Sequence, residues 1–179
     1  MRVLGMMALL LAATATAFAA ELPGGRLRPS SDLIAVSRVR TVAELLLHDN
    51  VDVAKLAEAL GTREIRRTED KSPIRPNEQV YFAATEQFSA VRLSLERDQK
   101  GSSPHSLYLT PTAQSDLSLA RMDQTFGAAR LVQGPNSNLR NWIYGAPNQK
   151  LVAQLNGEFA QAPQPTSLLV RLTIRIDRR

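Results

Sequence analysis

The chain contains no cysteine, two histidines, one tryptophan and only 5% aromatic residues. Each shortage removes a class of chemistry. Without thiols there is no disulfide, no thiolate metal site, no cysteine nucleophile and no lipid attachment through a mature N-terminal Cys. His48 and His105 alone cannot build a finger-type zinc site, and the carboxylates show no metal-ligand spacing. The stretch LLLHDN places His48 near a helix C-terminus, where a cation suits the dipole. Ser102, Ser103 and Ser106 surround His105, but neighbours in sequence do not make a triad, and no G-x-S-x-G elbow occurs. GGRLRP lacks both the spacing and the following helix of a phosphate loop. These absences argue against an enzyme as the leading reading, and no cofactor or metal is expected.

Lysine is also scarce. Lys55, Lys71, Lys100 and Lys150 are the only four, so the formal net charge of +5 is carried by arginine. A basic balance favours acidic partners, and the planar guanidinium fork binds carboxylates bidentately. Basic and aromatic residues are not interleaved in any nucleic-acid motif, so nucleic acid is not the expected partner.

What is present begins with MRVLGMMALLLAATATAFAAE. Arg2, an apolar stretch from Val3 to about Ala17, and small residues Ala17 and Ala19 around Phe18 predict a secretory signal peptide over residues 1–19. The apolar run is shorter than the roughly 20 residues a membrane span needs, and no later segment approaches that length. The expected product is a soluble periplasmic or secreted chain without stable membrane insertion. Roughly 160 residues would remain, enough to bury about 70% of their surface in a core that no disulfide assists.

ELPGGRLRPSSD, rich in Gly, Pro and Ser, opens a flexible arm expected over residues 20–40. Thr41 and Glu44 then have the spacing of a capping box before Val42, Leu45 and Leu46. In DVAKLAEALG, Asp52 can cap a second short helix, and Gly61 supplies its stop. Beyond Gly61 the period changes to two: QVYFAAT, SAVRLSLER and SLYLT read as strands, and the charged TREIRRTE reads as an edge strand. DKSPIRPNE and RDQKGSSPH carry loop residues.

The second half repeats this order. SDLSLARMDQTFG predicts a helix ending at Gly127, and AARLVQG, LRNWIYG, KLVAQLN and SLLVRLTIRID follow as candidate strands. Gly61 matches Gly127, Phe82 matches Tyr144, Leu93 matches Ala153 and Leu107 matches Leu168, with offsets that drift only by loop length. The expected fold is therefore α+β: two tandem units over residues 41–111 and 112–179, each with one or two helices packed on a three- to four-stranded antiparallel sheet.

The ALG and TFG helix ends, with the NWIYG and KLVAQLNGE strand pair, resemble a group of helix-plus-antiparallel-sheet proteins. That group includes the β-lactamase inhibitor protein and the small lipoprotein of the outer-membrane β-barrel assembly machine. The resemblance spans about residues 40 to 177 and implies a binding protein that uses a sheet face and its loops. The chain departs from both members in having no Cys for disulfides or for a lipid anchor.

Alternation ranks the candidate binding residues. Leu168, Val170, Leu172, Ile174 and Ile176 should face the helices, leaving Leu169, Arg171, Thr173, Arg175 and Asp177 outward. Arg92 and Glu96 should share the corresponding face of the first sheet. Arg140, Trp142 and Tyr144 form one side of a further strand. Trp142 is either core, matched to Val80, or an interface anchor among arginines. The candidate partner-binding set is Arg92, Glu96, Arg171, Thr173, Arg175, Trp142 and Tyr144. The expected function is a non-enzymatic inhibitor or immunity protein that blocks an envelope-acting enzyme or toxin, with an acidic patch or cleft on the partner. The alternatives are an assembly factor of the cell envelope and a hydrolase using His105.

Overall fold

The computed structural model describes residues 31–48, 51–70, 77–98, 101–132, 134, 137–146 and 150–178. The expected signal peptide, and the arm as far as residue 30, lie outside them.

The first helix, α1, spans Ser31–Leu46. It therefore begins ten residues before Thr41, and residues 31–40 are helix where an arm was expected. The cause is an apolar stripe that runs straight through the supposed cap: Ala35, Val36, Val39, Val42, Ala43 and Leu46 are all buried. The second helix, α2, spans Val53–Leu60 and is bounded as expected. Asp52 accepts from the Ala54 and Lys55 amides at 3.0 and 3.3 Å. Gly61 turns left-handed at φ 67°, and Thr62 N–H donates to the Ala57 carbonyl at 2.9 Å.

Four strands follow as a meander: β1 Glu64–Asp70, β2 Asn77–Phe82, β3 Phe88–Asp98 and β4 Gly101–Pro111. The third helix, α3 Leu119–Phe126, precedes a second meander of β5 Arg130–Leu131, β6 Leu139–Tyr144, β7 Leu151–Phe159 and β8 Leu169–Arg178. The two meanders share one antiparallel sheet of order β1-β2-β3-β4-β8-β7-β6-β5.

That order corrects the expectation of two tandem helix-on-sheet units. With 47% of the described residues in strands and 24% in helices, the fold is dominated by a single sheet. β4 and β8 would each be an exposed edge in a separate unit; pairing them from Ser106↔Arg175 to Leu109↔Leu172 removes both edges. One apolar cluster, drawing on all three helices and on strands from both meanders, replaces two separate cores. Nor are Gly61 and Gly127 equivalent stops, because Gly127 has φ 86° and ψ 171° and Gly61 has φ 67° and ψ 36°.

Strand limits and faces shift wherever a bulge intervenes. RDQKGSSPH is mostly strand rather than loop, since β3 runs to Asp98 and β4 starts at Gly101. Pairing passes from Ser94↔Ser106 to Leu95↔Pro104, so His105 is the extra residue. Pro104 is tolerated because the β4–β8 ladder ends at Ser106 and loses no rung to it. In β8, Glu158 pairs with Arg171 and Phe159 with Leu169, leaving Val170 as the bulge. Leu169 is consequently buried, whereas Leu168 and Val170 are exposed, the reverse of strict alternation.

Beyond the bulges alternation holds. Val80, Leu93, Leu107, Ile174, Leu155 and Trp142 form one cross-strand row of the inner face, all within the core beneath the helices.

A candidate partner-binding face

The residues between those core positions point to the opposite face, which the three helices leave uncovered. Their register places them in rows. Tyr81 stands opposite both Arg66 and Arg92, Arg92 opposite Tyr108, and Tyr108 opposite Thr173. The row continues through Asn156 and Asn141 to Arg130, crossing all eight strands. In its first half Arg and Tyr alternate. The Arg66 guanidinium lies 4.3 Å from the Tyr81 ring centroid, and that of Arg92 lies 4.4 Å from the Tyr108 centroid. These are cation–π stacks, which hold each guanidinium over a ring and leave it N–H groups with which to meet a partner.

The neighbouring row reads Thr68, Gln79, Ser94, Ser106, Arg175 and Gln154 across six strands. Ser94 and Ser106 are buried beneath longer neighbours. Arg175 Nε contacts Asp177 at 3.1 Å, and Gln154 Nε2 donates to the same carboxylate. Farther along the face Arg171 meets Glu158 at 3.1 Å, and Asn141 donates to Asn156 at 2.9 Å.

Five of the seven candidate residues are thereby gathered on one face: Arg92, Glu96, Arg171, Thr173 and Arg175. The other two are not. Trp142 is 1% exposed on the inner face, and its indole N–H donates to Asp123 on α3 at 2.8 Å. It presents no surface to a partner. Tyr144, half-buried on the same side, donates its hydroxyl to Glu44 on α1 at 2.6 Å and meets the Phe126 ring edge-on at 5.5 Å. Both aromatics dock helices onto the sheet. Both follow the core parity of β6, in which Arg140 and Trp142 are buried.

The Glu44–Tyr144 contact perturbs both groups. The Glu44 carboxyl is held below its usual range, chiefly because it accepts the Tyr144 hydroxyl and secondarily through Arg40. Tyr144 is raised, first by the same hydrogen bond and then by burial.

Tyr81, Tyr108 and Arg66 were absent from the candidate set. Alternation in QVYFAAT and SLYLT already places both tyrosines opposite to the core positions, so their face was readable. Their adjacency to arginines was not, because it depends on register between strands. His105 occupies the β4 bulge. Among the described residues no group of three or more His, Asp or Glu is placed to hold a metal ion, and no helix is long and apolar enough to cross a membrane. Comparison with known proteins finds no matching family model, no matching curated protein and no matching solved structure.

Proposed function

We propose that the chain is an exported, non-enzymatic binding protein that blocks an envelope-acting enzyme or toxin, as an inhibitor or immunity protein, through the open face of its sheet. The Arg–Tyr row carries this reading. Tyr and Arg are the residue types enriched at interface cores and hot spots, and the stacked pairs are stiffened before a partner arrives. The export component rests on the N-terminal sequence of residues 1–19. Blocking acts by steric occlusion: a broad sheet face covers a cleft, and its arginines complement acidic groups there.

The test is capture from envelope extracts of the producing cell and of competing strains, comparing the native chain with Tyr108→Ala and Arg175→Glu. The expected result is one lytic enzyme retained by the native chain, inhibited when the chain is added, and released by both variants. An enzyme retained equally by both variants, or captured with undiminished activity, rejects the reading. Capture of resident envelope proteins without inhibition replaces it with an assembly role.

A further inference from the structure

Ser106 is 3% exposed, and its hydroxyl has no hydrogen-bond partner among the described residues. A buried hydroxyl left unpaired carries a cost that alanine at the same position would not. It stands mid-sheet on the open face, opposite Ser94 on one side and Arg175 on the other, and two residues along β4 from Tyr108. Arg92, stacked on Tyr108, is a diagonal neighbour on β3. Among the described residues neither Arg92 nor Arg66 forms an ion pair, so no carboxylate among them meets their guanidinium edges. Arg175 has one, Asp177, two residues along its own strand; the Arg175 side chain is 56% exposed and that of Asp177 30%, so the contact is weak enough to be exchanged for another carboxylate.

We propose that Ser106, Arg92 and Arg175 form a carboxylate seat that receives an Asp or Glu side chain from an acidic segment of the partner protein. The proposal rests on the function argued above and specifies its anchor. Drawn from Asp177, the Arg175 side chain swings aside and uncovers the buried Ser106 hydroxyl; the incoming carboxylate then accepts from that hydroxyl, from Arg175 and from the Arg92 edge, so the unpaired donor is satisfied only in the complex. The sign of the face favours a carboxylate over a phosphate. Asp177, Glu96 and Glu158 share it, and these tolerate a single negative charge better than a double one.

The probe is an acetylated, amidated hexaglutamate peptide, titrated into the chain as processed by its host and followed by amide chemical shifts. Hexaglutamine and a phosphoserine peptide serve as comparisons. The expected result is shifts centred on Tyr81, Arg92, Ser106, Tyr108 and Arg175. Ser106→Ala and Arg92→Gln should each weaken binding on the order of tenfold, whereas Arg63→Gln, in the connection between α2 and β1, should not. Ser106→Ala should also keep or raise the Tm, which a merely structural serine would not do. Equal binding of hexaglutamine, tighter binding of the phosphoserine peptide, shifts elsewhere, or unchanged affinity in Ser106→Ala each overturns the seat. The two readings fail separately. If hexaglutamate does not bind while Tyr108→Ala still abolishes enzyme capture, only the seat falls. If it binds at Ser106 while no enzyme is captured, only the inhibitor reading falls.

Discussion

Gly157 lies on the core side of β7, where a side chain would have no room. A Cβ there would come within 2.5 Å of Leu169 Cδ2 and 2.7 Å of Trp142 Cζ3. The glycine thus makes space for the indole, which in turn ties α3 to β6 through Asp123. Gly157→Ala should cost about 1–3 kcal/mol by overpacking, read as a lower urea midpoint with unchanged slope. Gly61 is constrained differently. Its φ of 67° disfavours any side chain, and a Cβ would fall 2.5 Å from the Arg38 guanidinium. That guanidinium caps α2 by donating to the Leu60 carbonyl at 3.0 Å and also reaches Gln87 at 2.6 Å. Gly61→Ala should therefore lose roughly 1–2 kcal/mol from the left-handed backbone alone, and Arg38→Ala should partly relieve the added clash in a double-mutant cycle.

Between elements, the Arg40–Glu44–Tyr144 contact fastens α1 to β6 across 100 residues of sequence. Its pH dependence has two flanks. The Glu44 value is depressed below the ordinary 4.5, so its stabilisation is present above that pH and is lost as pH falls through the lower folded value. The Tyr144 value is raised above the ordinary 10.0, so its stabilisation is complete below that pH and fades as pH rises through the higher folded value. Tyr144→Phe should remove the alkaline flank and the larger part of the acid flank, Arg40 keeping the rest, and a plot of Tm against pH should show the native and variant curves drawing together at each end. Unchanged separation at low pH would mean that Glu44 does not carry the acid flank. The same elements mark what sequence could reveal. Asp52, Gly61 and the Arg92/Glu96 face follow from local rules of capping and alternation, and the structure agrees with them. The start of α1 was hidden because Thr41 and Glu44 mimic a cap inside a continuous apolar stripe. Leu168–Val170 was misassigned because one bulge residue reverses the parity of everything before it. Nothing local announces a bulge.

Across the whole molecule, the β4–β8 seam decides how many bodies there are. Four paired positions join the meanders, and the core row from Val80 to Trp142 crosses that seam through Leu107 and Ile174. Such pairing links residues 106–109 with 172–175, a separation on which strand periodicity is silent, and this is why a single sheet could be read as two. It also has a thermodynamic signature. Trp142, the only tryptophan, reports on the second meander, whereas far-UV dichroism reports on the entire sheet. If the seam makes one cooperative body, the two probes should give coincident unfolding curves. Leu107→Ala, in the first meander, should then shift both midpoints together, with a loss of about 2–5 kcal/mol. Two independent units would behave otherwise, with the dichroism curve broadening or splitting while the Trp142 transition stays in place. A shift confined to one probe would show that the four rungs align the halves without coupling them, and the Arg–Tyr row would then cross a joint that can yield.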